Sequence, residues 1–235
     1  MKSATAEKLT QRADLRDRRH VFADRAEAGA LLADLMAGRV PPGAVVLAIP
    51  AGGVPVAAAV AETLGLPLDV DVVSKVTLPW NSEAGYGAVA FDGSVLLNDD
   101  LVRYAGLTEA DVEEGVRRTR RKVERRLQTL RGDRPLADLT DRAAIVVDDG
   151  LASGFTMQAA LRAVAGLGAA GCVVAVPTAH EEALDRVAGL AEHLYCANVR
   201  SGTPFAVAEA YRNWYDVSEQ EAADLLARFG GSAGP

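Results

Sequence analysis

Long apolar runs are missing from this chain. No stretch approaches the roughly eighteen consecutive apolar residues of a membrane-spanning helix, so no membrane partner is expected. The first 19 residues are polar and charged and lack the apolar centre of a secretion signal. Cysteine is scarce. Cys172 and Cys196 are the only two in 235 residues, too few for a disulfide framework, and a reducing cytoplasm is the expected setting. Positive charge is in deficit, with a net charge of −7, which argues against a nucleic-acid binder. His20, His180 and His193 lie far apart and show no metal-ligand spacing. No G-x-G-x-x-G follows the first buried strand, which tells against a dinucleotide-dependent oxidoreductase. Internal repeats and low-complexity tracts are also absent.

What remains is an alternation of strands and helices. Residues 1–20 read as a loosely attached N-terminal extension, followed by a single domain over residues 21–235. Ala30, Leu31 and Leu35 give residues 24–36 helical spacing, with Gly38 as a stop. Residues 45–49 form a continuous apolar run that reads as a buried strand. Pro50-Ala51-Gly52-Gly53 then turns into an alanine-rich helix over 54–64, ended by Gly65, and 68–73 reads as a second strand. Residues 74–84 are polar and irregular and read as a mobile loop. Asp92-Gly93 between 87–91 and 95–97 is a hairpin signal. Thr108 caps a long helix over 109–130, acidic at its start and arginine-rich in its later turns, as the helix dipole favours. The run from Arg117 to Arg126 reads first as a solvated helix face, and alternatively as a rim that steers an anionic substrate. Residues 172–176 and 194–199 read as strands and 180–190 as a helix. A final helix spans 218–229, with Ser218 and Glu221 as a capping box and Gly230 as its stop. This alternation implies a mostly parallel sheet flanked by helices, with ligands bound beyond the carboxyl ends of the strands.

One stretch carries chemistry. The apolar strand 143–147 ends in Asp148-Asp149, and Gly150 to Thr156 form a turn of small and hydroxyl residues leading into a helix. Backbone N–H groups at such a helix start face an anion, and the Ser153 and Thr156 hydroxyls add donors. The two carboxylates can accept hydrogen bonds from sugar hydroxyls. Adjacent carboxylates repel unless a cation or several donors sit nearby. The pattern is that of a site for a phosphorylated sugar.

Position by position, residues 145–156 resemble the phosphoribosyl-pyrophosphate signature of the type I phosphoribosyltransferases. The likeness extends over roughly residues 20–220, and points to an uncharacterised branch of that family. Pro50-Ala51-Gly52-Gly53 stands where the family has its pyrophosphate loop. Residues 75–87 resemble the branch's flexible loop, and Pro204-Phe205 and Trp214-Tyr215 its C-terminal portion. The resemblance implies an α/β fold with a mostly parallel central sheet, a small hood and a flexible loop or hairpin. It implies transfer of 5-phosphoribosyl from phosphoribosyl pyrophosphate to a small-molecule acceptor, with release of pyrophosphate and with Mg²⁺ as cofactor. The acceptor is not legible, and a homodimer is the expected assembly.

Carried over residue by residue, Asp148 and Asp149 would hold ribose hydroxyls or Mg²⁺ through water. Ala152, Ser153, Gly154, Phe155 and Thr156 would wrap the 5′-phosphate. Ala51, Gly52 and Gly53 would meet pyrophosphate through backbone N–H groups, with Lys75 supplying charge. Glu83, Phe205 and Trp214 are the lid and acceptor candidates. Each has a plainer reading: Lys75 as a surface lysine, Glu83 as a loop charge, and Phe205, Tyr211, Trp214 and Tyr215 as core aromatics. The chain departs from the family at Ala51, where members often carry Arg or Lys. That departure favours a second reading, a regulatory protein that binds the sugar phosphate without transferring it.

Overall fold

The computed structural model describes residues 1–229, with only the backbone of Ser82 and Glu83. The chain opens with α1 (Ser3–Lys8) and the two-residue β1 (Leu9–Thr10). Next come α2 (Arg25–Met36), β2 (Val45–Ala48), α3 (Gly53–Leu64) and β3 (Leu68–Val70). An excursion follows through β4 (Val73–Leu78), β5 (Asn81–Ala90), β6 (Val95–Leu97) and α4 (Asp99–Tyr104). The long α5 (Glu109–Leu130) returns to β7 (Ala143–Val147), α6 (Phe155–Ala165), β8 (Gly171–His180), α7 (Glu181–Val187) and β9 (His193–Arg200). The last described helix is α8 (Glu219–Ala227).

Six strands form one parallel sheet in the order β1-β9-β8-β7-β2-β3. Its central strands are apolar on both faces, because helices cover both. Alternate residues divide between two cores. Val46, Ala48, Ile145 and Val147 pack with α2, α3, α5 and α8. Val45, Leu47, Ala144 and Val146 pack with α6 and α7. β2 and β7 are neighbours in register, Ala48 opposite Val147, yet β2 feeds a helix on one face and β7 a helix on the other. That is a topological switch point, where the two departing chains leave a crevice at the carboxyl ends of the strands.

Four expectations need correction, three of placement and one of capping. Residues 1–20 are not loosely attached. β1 pairs with β9, Leu9 opposite Leu194, and the buried Thr5 donates to Asp185 Oδ1 at 2.5 Å. The Lys8 ammonium bonds the carbonyls of Ala188 and Ala191 at 2.9 and 2.8 Å. Residues 74–84 are not an irregular loop, because β4 and β5 pair antiparallel across them, with register shifts at Val76/Thr77 and Thr77/Leu78. Val76 and Tyr86 anchor this sheet by packing on Gly115 of α5, where a side chain would collide with both. The run 68–73 divides, since β3 ends at Val70 and β4 begins the second sheet at Val73. Elsewhere the local signals hold. Gly93 takes φ +82 in the β5–β6 turn, and Thr108 caps α5 reciprocally with Asp111. Ser218 caps α8, but Glu221 does not complete the box; its carboxylate accepts from the Tyr215 hydroxyl at 2.6 Å. The stop expected at Gly230 lies outside the described residues.

Candidate active site

The acid pair stands at the crevice, at the end of β7. The Asp149 N–H donates to Asp148 Oδ1 at 2.8 Å, which folds the first carboxylate over the second peptide. Burial, and after it the Asp149 charge, pushes the Asp148 carboxyl well above the ordinary range. Burial raises Asp149 as well, and the strongest opposing influence is Arg25. Nε and Nη2 of Arg25 donate to the same oxygen, Asp149 Oδ2, at 3.0 and 2.8 Å. Arg25 is 5% exposed; its Nη1 bonds the Tyr215 carbonyl at 2.9 Å, and its guanidinium lies 4.0 Å from the centre of the Trp214 ring. The Tyr211 hydroxyl donates to the Asp149 carbonyl at 2.5 Å. The cation that relieves the repulsion between the carboxylates is therefore part of the protein, and α2 delivers it.

The small-residue turn is stitched to the neighbouring strand. Leu151 N–H donates to the Thr178 carbonyl and His180 N–H to the Leu151 carbonyl, at 2.9 and 3.0 Å. Gly150 must be glycine, because a Cβ there would collide with the Val207 side chain. Gly154 takes φ +79 at the start of α6, and Ala152 and Ser153 before it are exposed. A cavity of about 200 Å³ opens there, and Lys75, Asp148, Ala152, Ser153, Thr156 and Val207 are among its walls. Lys75 reaches it from β4, in the second sheet. Phe155 starts α6, but its ring lies against the Arg186 guanidinium at 5.3 Å.

The glycine turn packs directly on the acids. A Cβ on Gly52 would lie 2.8 Å from Asp149 Cγ. One on Gly53 would lie 2.8 Å from the Val147 carbonyl oxygen and 2.9 Å from Asp148 Cα. Both turns therefore need these glycines for close approach, whatever they bind. Ala51 precedes them, joined to Pro50 by a cis peptide. Trp214 is spent on Arg25. Phe205 lies apart from the acids, at the ends of β8 and β9, with its ring 5.7 Å from His180 and 5.2 Å from the Arg200 guanidinium. Those two buried residues each leave one nitrogen, His180 Nε2 and Arg200 Nη1, without a partner. The Glu83 side chain lies outside the described ones. Arg25 escapes a reading of the sequence, because nothing local marks a helix-start arginine as the partner of a carboxylate 124 residues away.

An open parallel sheet with two glycine-bearing turns meeting at its switch point, one acidic and one bare, defines an α/β protein with its ligand crevice there. Comparison with known proteins narrows that class. A family model, the phosphoribosyl transferase domain, matches residues 26–210. A Mycobacterium tuberculosis protein, Rv0571c, whose name places it provisionally among the phosphoribosyl transferases, is 39% identical over 211 residues, 88% of this chain. The chain spans 47% of that relative's length. The crystal structure of TT1426 from Thermus thermophilus is similar at 37% identity and a TM-score of 0.72, over 88% of this chain and 98% of that one. The chain belongs to the type I phosphoribosyltransferase family.

Proposed function

We propose that this protein transfers 5-phosphoribosyl from phosphoribosyl pyrophosphate to a small-molecule acceptor. The observation that carries the reading is the direct packing of the Gly52-Gly53 turn on Asp148-Asp149, with Lys75 in the same cavity as Ser153 and Thr156. In this reading the turn from Ala152 to Thr156 takes the 5′-phosphate on backbone N–H groups and two hydroxyls. Asp148 and Asp149 accept hydrogen bonds from the ribose hydroxyls. The C1–O bond to pyrophosphate breaks, the sugar passes through an oxocarbenium-like state, and an acceptor atom bonds to C1 as it gives up its proton. Lys75 and the N–H group of Gly52 face the charge that develops on the leaving group; the Gly53 N–H, expected to join them, is instead given to the Ile49 carbonyl at 3.0 Å.

Among the described residues no group of three or more His, Cys, Asp or Glu side chains is placed to hold a metal ion. The acid pair fits Mg²⁺ in a different manner, since that ion keeps its waters and is shared with substrate phosphates, needing one or two carboxylates. Asp148 and Asp149 would hold it, through water. When bound, it would neutralise charge on the departing pyrophosphate.

The test is pyrophosphate release from phosphoribosyl pyrophosphate and Mg²⁺ across a panel of acceptors. Asp149→Asn is expected to lower release by about 100-fold or more, the scale of removing one electrostatic contact in a transition state. Release at the wild-type rate by Asp149→Asn would sink the assignment. Ala51 keeps a regulatory reading in play; retained donor binding with no release for any acceptor would select it.

A further inference from the structure

The turn after β2 has no cationic side chain of its own, and the fold brings one to it. Arg126, on α5, points its Nη1 at the Pro50 carbonyl at 3.4 Å and at Ser74 Oγ at 3.5 Å. Its Nε is tethered to Glu219 Oε1 of α8 at 2.7 Å. Most of the arginine run is exposed, as a solvated face should be, including Arg117, Arg118, Arg121 and Arg125. Arg126 is the exception, with a side chain only 15% exposed. Lys122 lies one helical turn earlier on the same face. Partial desolvation first, and then the Arg126 guanidinium, depress its ammonium below the usual lysine range; Lys75 pushes the same way and Glu219 opposes. Arg126 thus stands beside the Pro50 carbonyl, with Lys122 one turn before it on the same helix face.

We propose that Arg126, supported by Lys122, is the pyrophosphate-side cation of this site, delivered by α5 to a turn where position 51 lacks one. The proposal rests on the phosphoribosyl-transfer reading. Two features suit Arg126 to the role. Its contacts to Pro50 of the turn and to Ser74 of β4 are long and neutral, so a phosphate oxygen can replace them with shorter, charge-assisted bonds. The Glu219 pair holds the base of the guanidinium and leaves Nη1 directed at the turn. A planar fork of donors also suits a diphosphate better than a single ammonium does. The role assigned to the side chain missing at Ala51 is then filled by a residue 75 positions later.

The experiment titrates the full chain with Mg²⁺-pyrophosphate and, separately, with ribose 5-phosphate, by calorimetry. Arg126→Met is expected to weaken pyrophosphate binding about tenfold and leave ribose 5-phosphate unchanged; Lys122→Met is expected to weaken it about threefold. Glu219→Gln removes the α5–α8 charge pairing but keeps a side-chain oxygen to accept from Nε and orient the guanidinium, and should stay within about twofold of wild type. Ala51→Arg placed in the Arg126→Met background should recover most of the lost affinity. Wild-type pyrophosphate affinity in Arg126→Met, an equal loss for both ligands, or the same loss in Glu219→Gln would overturn the proposal. Absence of rescue by Ala51→Arg would overturn the placement beside position 51. If wild type binds neither ligand, the phosphoribosyl reading itself fails, and that outcome is distinct from selective failure of Arg126.

Discussion

The turn after β7 keeps its chemistry in its own side chains: two carboxylates, two hydroxyls, and glycines where the backbone must approach a neighbour. The turn after β2 keeps almost none. It offers an alanine and two glycines, and its charge stands on other elements, Lys75 on β4 and Arg126 on α5. The two are nevertheless one unit, since each is shaped by the other's atoms at Gly52 and Gly53. A site can be divided so that one half is written contiguously and the other is assembled by the fold. The contiguous half is fixed in register by β7, buried along its whole length. The assembled half depends on how α5 and the second sheet sit against the first.

The sharpest way to break this pairing is Gly53→Ala. The added Cβ meets backbone on two sides, so one turn must give way. A loss of up to about 3 kcal/mol in denaturant unfolding is expected, together with weakened ribose 5-phosphate binding at the other turn. Wild-type stability would mean that the turns are not in contact. Next in size is Arg25→Met, which strands Asp149 without its cation. Breaking a buried pair costs about 3–5 kcal/mol; with Asp149 15% exposed, about 2 kcal/mol is expected here. Asp149 would also titrate at higher pH, and the acid limb of donor binding would move up with it.

A third test uses protons. Burial raises the Asp148 carboxyl, so the folded protein holds its proton to higher pH than the unfolded chain does. Stability from this group is therefore present at low pH and is lost as pH rises from the ordinary carboxylate range through the raised folded value. Cation binding favours the ionised pair, so Mg²⁺-pyrophosphate should bind more weakly as pH falls through that range, with proton uptake or release seen by calorimetry in two buffers. Affinity independent of pH would exclude Asp148 from the cation's surroundings. The smallest effect is Ala51→Arg in the wild-type background. With Arg126 already beside Pro50, pyrophosphate should tighten only about twofold; a tenfold gain would show the β2 turn to be truly bare.

Much of this was readable from contiguous residues. The strand, acids and small-residue turn at 143–156 are a single local pattern, as are the Thr108 cap and the Asp92-Gly93 hairpin. Legibility failed where partners lie far apart. Arg25 finds Asp149 across 124 residues, and Thr5 finds Asp185 across 180, so neither contact leaves a periodicity or a spacing. Residues 74–84 misled because their polarity suggested a loop, while a few buried residues such as Val76 and Tyr86 were enough to hold a sheet. Glu221 misled because a local capping partner was outcompeted by the Tyr215 hydroxyl.

The far edge of the parallel sheet has a consequence of its own. β9 is buried along nearly its full length, and its outer side is closed by β1 and by Arg12 and Asp17, whose N–H groups reach the carbonyls of Ala197 and Val199 at 3.2 and 2.9 Å. Trimming residues 1–17 would bare a row of unpaired peptide groups on a strand that is otherwise buried, a template for edge-to-edge aggregation. An N-terminal truncation would therefore change how the molecules meet one another, through an edge that plays no part in the chemistry proposed for the crevice.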